Sequence, residues 1–435
     1  MKIKTVNKSY DEIMAMPKKA HIKPKKPSFI FRTLARILSV PELVKAKFKH
    51  TGKLPPRSSG PFLILMNHSS FIDLKIAQKL LYPRPFGIVC AQDAMVGKAW
   101  LMRLLGCIPT TKFVNDLALI HDIKHFIDSG TSVLMYPEAG YSIDGTATAL
   151  PHNFGSLIKL LKAPVVFIKT DGAFLHQPLY NELISRDVPV SAHISTLFTR
   201  AEVEAMSPEQ INDRVSQAFS FDNFARQKEL GITVSEPLRA RGLERVLYKC
   251  PACSAEGKMR SDGAALHCDA CGKTYAMSEL GEMKAFDGRT EFSHIPNWYE
   301  WQRGEVRREI TEGSYHLEIP VYIGIMNDWR ALYTVGEGTL YHTNEGFRLI
   351  GCDGKLEYVQ KPLSTYTLNA DFFWYEIADT ISIGTGSMLY YCFPKDNTPV
   401  IKARLATEEL YILHRDKKIH NLQHNTDKNE LKDSE

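Results

Sequence analysis

The sequence predicts an α/β domain with a mixed sheet flanked by helices, then a small four-cysteine module, then an antiparallel β-rich C-terminal domain. Three observations carry that order. Short apolar runs such as Pro61-Phe62-Leu63-Ile64-Leu65-Met66 and Val165-Val166-Phe167-Ile168 alternate with helical patterns over the first half. Two Cys-x2-Cys pairs, Cys250/Cys253 and Cys268/Cys271, follow with fourteen residues between them. From Tyr315 onward, short alternating segments are separated by turn residues. At 435 residues the chain is long enough for two or three domains with real cores.

In the first domain, the run ending at Met66 reads as a buried strand and leads into Asn67-His68-Ser69-Ser70-Phe71-Ile72-Asp73. Ser70, with Asp73 three residues later, reads as the cap and first turn of a helix. Residues five apart do not share a helix face, so His68 falls in the strand-to-helix loop with Asp73 turned back towards it. A carboxylate there fixes the imidazole tautomer through one ring nitrogen. The other nitrogen is left to take a proton from a hydroxyl. His68 is the only one of 15 histidines with aspartate five residues on. Taken alone, the pair also reads as a hydrogen-bonded core histidine beside a capped helix.

Two further blocks follow. Gly106-Cys107-Ile108-Pro109-Thr110-Thr111-Lys112-Phe113 puts a cation near a strand or turn end. Ser132-Val133-Leu134-Met135 runs into Tyr136-Pro137-Glu138-Ala139-Gly140-Tyr141, where an open α/β sheet carries its ligand groups. The order resembles the glycerolipid acyltransferase family, whose best-known member acylates 1-acylglycerol 3-phosphate. That family has an Asn-His-x4-Asp block, a basic block, a Phe-Pro-Glu-Gly-Thr-Arg block and a Pro-apolar strand, matched here over residues 55 to 200. Ala139, Gly140 and Tyr141 stand in place of Gly-Thr-Arg, and Lys112 in place of arginine. A tyrosine cannot replace the charge, and lysine lacks the bidentate fork suited to phosphate.

The resemblance implies direct acyl transfer from coenzyme A or acyl carrier protein to a lysophospholipid hydroxyl, with no organic cofactor beyond the thioester. His68 is then the general base and Asp73 its orienter. Backbone N–H groups of the loop turns would stabilise the oxyanion. Asn67, Lys112, Glu138, Ala139, Gly140 and Tyr141 would bind the acceptor, Lys112 at its phosphate. A solvated surface lysine is the other reading of Lys112. The alternatives for the whole domain, placed at 55–245, are an acyltransferase for a different hydroxyl and a lipid-binding scaffold whose catalysis has decayed.

The net charge of +5 is unevenly spread: residues 1–53 hold 14 Lys/Arg against 3 Asp/Glu. Phe29 to Leu38 repeats apolar residues at helical spacing, Pro41 interrupts, and Leu43, Val44 and Phe48 resume beside Lys45, Lys47 and Lys49. Residues 1–54 therefore read as a pair of basic amphipathic helices lying on an anionic membrane surface. The absence of an apolar run of about eighteen residues predicts no transmembrane helix. The polar residues after Met1-Lys2-Ile3-Lys4 predict no signal peptide. The expected location is cytoplasmic, peripheral on the inner face of the cell membrane. No base-reading motif accompanies the basic arm, so nucleic acid is not an expected partner.

Cys90, Cys107, Cys352 and Cys392 are isolated and read as buried or idle thiols. Cys250, Cys253, Cys268 and Cys271 have the spacing to close four thiolates around one structural zinc, and 246–280 resembles a zinc ribbon. Four sulfurs leave no open position for catalysis, and the cluster suits a reducing cytosol. Residues 281–313 read as a helical linker, centred on Pro296 to Ile310. Eight segments between Tyr315 and Phe393 read as strands, and Val400 to Leu413 as a closing helix. Residues 314–415 thus resemble a pleckstrin-homology or GRAM-like domain. Residues 416–435, polar and without aromatics, are expected to be a disordered tail.

Overall fold

The computed structural model describes residues 2–17, 20–113 and 116–432, with side chains as far as Lys418. Strand β1 (Thr5–Asn7) stands apart from the α/β sheet. That sheet contains β2 (Lys49–Gly52), β3 (Leu63–Met66), β4 (Phe86–Ala91), β5 (Cys107–Thr110), β6 (Ser132–Met135), β7 (Val165–Asp171) and β8 (Ser191–Phe198). The order is β2-β8-β7-β3-β6-β4-β5, and only β7 and β8 are antiparallel neighbours, so the sheet is mixed.

Both faces of β3 are covered, which is why its sequence is continuously apolar. Leu63 and Leu65 pack with Phe126, Ile158 and Phe167 on one side. Ile64 and Met66 pack with Ile72 and Ile76 on the other. The chain leaves β3 through the helix Ile72–Leu81 and returns as β4 beyond β6. Loops following β3, β5 and β6 therefore gather at one end of the sheet, where a switch in strand order opens a crevice.

Four short antiparallel strands follow: β9 (Met259–Asp262), β10 (Ala265–Cys268), β11 (Thr274–Met277) and β12 (Met283–Ala285). The module thus runs past residue 280, because β12 completes its sheet. The helix Ile295–Thr311 leads into β13 (His316–Met326), β14 (Leu332–Thr343), β15 (Gly346–Gly351), β16 (Leu356–Gln360), β17 (Asn369–Trp374), β18 (Ala378–Thr385) and β19 (Met388–Pro394). These seven pair antiparallel in the order β16-β15-β14-β13-β19-β18-β17. Segments 331–334 and 339–343, expected as separate strands, merge in β14. Gly338 does not turn the chain; a Cβ there would come within 2.3 Å of the Ile350 carbonyl, so glycine serves the close approach of β15.

The closing helix runs Val400–Lys432 instead of ending at Leu413. No glycine or proline follows Pro399, so nothing local stops it. Residues 416–432, expected as a disordered tail, continue that helix, and 433–435 lie outside the described residues.

The N-terminal arm is not a single surface unit over 1–54. β1 pairs in parallel with β14, Val6 opposite Tyr333. Ile13, in the helix Tyr10–Met14, is fully buried in the core that the C-terminal domain shares with the four-cysteine module. The two expected amphipathic helices are one, Phe29–Lys45, with Pro41 inside it. That helix turns Leu43 inwards, buries Arg32 against the Pro83 carbonyl at 2.8 Å, and leaves Ile30, Ile37, Leu38 and Val44 exposed.

Candidate active site

His68 follows β3 directly, and its Nδ1 lies 3.2 Å from Asp73 Oδ2. The same oxygen accepts the backbone N–H of Ser69 at 2.7 Å and of Ser70 at 3.0 Å. Asp73, in the first turn of the helix, is fully buried, while the His68 side chain is 20% exposed. The capping runs opposite to the sequence expectation. Phe71 is the N-cap, and the Ser70 hydroxyl has no hydrogen-bond partner among the described residues. Asp73 holds the loop N–H groups because a carboxylate accepts several charge-assisted bonds at once. Those two N–H groups are therefore occupied and not free to bind an oxyanion. With Nδ1 committed to Asp73, Nε2 is the ring nitrogen outside that bond.

Asn67 and Glu138, expected at the acceptor, brace the loops. Asn67 Oδ1 accepts the Thr170 N–H at 2.7 Å, and its Nδ2 donates to the Thr170 carbonyl at 3.0 Å. This ties the end of β3 to β7. Glu138 Oε2 accepts the His68 backbone N–H at 2.8 Å and Oε1 that of Thr148 at 2.9 Å. Burial pushes the Glu138 carboxyl up to about 8, against the pull of these two N–H donors, and the charge of Asp73 adds to the rise. The Glu138 side chain is fully buried, with each oxygen holding one loop N–H. Ala139 turns the chain with φ 50°, and the Ser142 N–H bonds the His68 carbonyl at 3.0 Å. Ala139 and Gly140 therefore shape the turn.

Tyr141 reaches His68: their ring centroids lie 4.4 Å apart. Tyr136 stacks on the imidazole at 4.0 Å and 22°, a contact that no spacing rule in the sequence foretells. Burial, then Asp73, then Asp371 raise the Tyr141 phenol well above its ordinary value. Lys112 lies beyond β5, and its Nζ donates to Asn369 Oδ1 at 3.3 Å. Asn369 and Asp371, both on β17, thus belong to the surroundings of this site, and no local pattern in the sequence marks them. Thr170 is legible only as the end of an apolar strand; its hydroxyl bonds both Asn67 and Asp73, at 3.1 and 3.3 Å.

Cys250, Cys253, Cys268 and Cys271 converge, with all four sulfurs within 4.8 Å of one another. Their module follows the α/β domain in the chain and precedes the helix Ile295–Thr311.

Residues 47–169 match the acyltransferase family model. Among solved structures, the chain is similar to the 1-acyl-sn-glycerophosphate acyltransferase PlsC from Thermotoga maritima. The identity is 14%, the TM-score is 0.33, and the match covers 43% of this chain and 78% of that one. The segment that fits the family model holds β3, β5 and β6, with His68, Asp73, Lys112 and Glu138 among its residues. Residues 47–169 are therefore an acyltransferase domain.

Proposed function

We propose that this enzyme moves a fatty acyl group from coenzyme A or acyl carrier protein to a hydroxyl of 1-acylglycerol 3-phosphate or a related lysophospholipid in phospholipid biosynthesis. The observation that carries this is the bond between His68 Nδ1 and Asp73 Oδ2 inside the matched domain. His68 Nε2 takes the hydroxyl proton as the oxygen attacks the thioester carbonyl. A C–O bond forms, then the C–S bond breaks as the tetrahedral intermediate collapses. The leaving thiolate receives the proton from the imidazolium, which Asp73 stabilises meanwhile. Products are the acylated lipid and a free thiol, so atoms and electrons balance with no further reactant.

Thiol release by the full chain on detergent-dispersed lysophospholipid tests this, with His68→Ala as the comparison. Turnover should fall to the blank in the variant while its melting temperature stays within a few degrees. Unchanged turnover would remove His68 from the chemistry.

In this reading the four cysteines hold one structural zinc. Cys250 and Cys271 sulfurs are 3.8 Å apart, and those of Cys253 and Cys268 3.7 Å. The edge of a sulfur tetrahedron with Zn–S of about 2.3 Å is about 3.8 Å, so the donor set fits. The ion would supply folding energy and no catalysis.

The protein works at the inner face of the cell membrane, held by the helix Phe29–Lys45. No described helix is long and apolar enough to cross a bilayer. Ile30, Leu38 and Val44 are 74%, 67% and 70% exposed on a helix that buries an arginine, the reverse of a helix packed for water. Arg36, Lys45, Lys47 and Lys49 lie along the same stretch and suit anionic lipid. Seven antiparallel strands closed by one helix support the pleckstrin-homology or GRAM-like reading of the C-terminal domain.

A further inference from the structure

The segment that carries Lys112 is fastened from two domains. Within its own domain, Gln92 Nε2 donates to the Thr111 hydroxyl at 3.3 Å. From the C-terminal domain, the Thr365 hydroxyl lies 2.8 Å from the Phe113 carbonyl oxygen and 2.5 Å from that of Thr367, one donor shared by two acceptors. Thr365 and Phe113 are both buried, so the bond between them is shielded from water. The Tyr366 ring meets that of Phe113 edge-on at 5.7 Å. Asn369 Oδ1 accepts from Lys112 Nζ at 3.3 Å, and its own Nδ2 donates to Ser382 Oγ at 3.0 Å.

Phe113 takes left-handed backbone, with φ 62°. A bulky residue stays in that region only where its surroundings hold it, and such strain gathers at sites where side chains must be aimed. Here Thr365 and Tyr366 supply the hold. The same ring reaches the loop after β6: a Cβ at Gly140 would lie 4.0 Å from Phe113 Cζ. Gly140 precedes Tyr141, whose ring lies 4.4 Å from that of His68. Phe113 thus joins the C-terminal domain to the turn beside His68, and its backbone direction bears on where the Lys112 side chain leaves the chain.

We propose that the C-terminal domain completes the acceptor half of the site, with Thr365 and Asn369 as positioning residues that hold Phe113 and Lys112 where the acceptor lipid meets His68. The inference rests on the acyl-transfer reading above and adds residues that lie outside the matched segment 47–169. Thr365 acts through Phe113. Its loss removes binding that ground state and transition state share, which is read in KM and not in kcat.

The test is steady-state kinetics of the full chain, with whichever of lysophosphatidic acid and lysophosphatidylglycerol turns over faster. Thr365→Val keeps the shape and removes the donor. KM for the acceptor should rise about tenfold, the size of one buried hydrogen bond, while kcat and KM for the thioester stay within about twofold. Thr365→Ser, which keeps the hydroxyl, should hold the wild-type KM. In a Lys112→Ala chain, Thr365→Val should add little, because the two act on one contact. Losses that multiply in the double variant, a serine that behaves as valine does, or an acceptor KM that valine leaves unchanged would each overturn the proposal. If wild type acylates neither lipid, the acyl-transfer reading fails by itself. Calorimetric binding of the same two lipids to His68→Ala then decides the positioning. Binding weakened by adding Thr365→Val and kept by Thr365→Ser supports it; equal or absent binding overturns it.

Discussion

Glu138 Oε2 accepts the backbone N–H of His68 at 2.8 Å, and its other oxygen accepts that of Thr148 at 2.9 Å. One buried carboxylate thereby locks the loop carrying the base to the segment that follows β6. Glutamine at this position keeps one acceptor oxygen and turns an amide NH2 towards the second N–H, leaving a buried donor unsatisfied at a cost of about 1–3 kcal/mol. Glu138→Gln should lower kcat while KM for the acceptor changes little, as expected if Glu138 acts by holding the His68 backbone. Steady-state kinetics check this; a rise in acceptor KM at constant kcat would return Glu138 to the acceptor pocket.

The same carboxyl gives stability a pH dependence of known sign. Burial raises it from an ordinary 4.5 to about 8, so the folded state holds a proton that the unfolded chain has already released. Its contribution is full below pH 4.5 and is lost as pH rises towards about 8. The melting temperature of wild type minus that of Glu138→Gln should therefore fall across this window. A difference that stays flat, or rises, would show the carboxyl already ionised in the fold.

Asp73 does two jobs through one oxygen, orienting His68 and closing the N–H groups of Ser69 and Ser70. Asp73→Asn leaves a similar shape but removes the charge that, in the proposed reaction, fixes the tautomer and steadies the imidazolium. Turnover should drop by about 10²–10⁴-fold with the fold retained. Loss below tenfold, measured as thiol release, would reduce Asp73 to a structural cap.

Much of this site is legible in the amino-acid order, and the reasons divide along the chain. His68 and Asp73 are five residues apart on one strand-to-helix connection, so local rules bring them together. Glu138 is legible as a carboxylate following β6, but the N–H groups it meets across the crevice are not. Asn369 and Asp371 are invisible for the same reason: more than 250 residues separate them from Lys112, and only domain packing joins them. Proline misleads at Pro41, where tertiary contacts carry one helix through a usual break. Glycine misleads at Gly338, which permits close strands instead of a turn. The long strand β14 and the extended closing helix are the consequences of packing overriding punctuation.

The helix Phe29–Lys45 offers a clean separation of membrane binding from folding. Ile30 and Ile37 are 74% and 60% exposed, so replacing both by aspartate should change stability by no more than about 0.5 kcal/mol each. On a bilayer the same side chains would be buried at about 1.5–3 kcal/mol apiece. Sedimentation with vesicles containing anionic lipid should show binding weakened more than tenfold, as those energies require. Wild-type binding that the double variant keeps would assign membrane contact to another surface.

Zinc removal should act first around Trp298 and not at His68. That indole is fully buried, donates to the Lys249 carbonyl at 2.9 Å, and packs on Tyr275 at 5.0 Å. Lys249 precedes Cys250, so releasing the sulfurs frees the stretch of chain to which Trp298 is tied. Structural zinc in small modules carries about 10–16 kcal/mol of apparent binding energy at neutral pH, more than this local core can replace. A chelator should therefore open residues 246–285 to limited proteolysis while acyl transfer, which uses no group of that module, persists until the helix Ile295–Thr311 detaches. Metal analysis should give one zinc per chain in wild type and a fraction of that in Cys253→Ala. Protease resistance that the chelator leaves unchanged, in protein shown to have held the metal, would mean that the four cysteines are not what holds the module together.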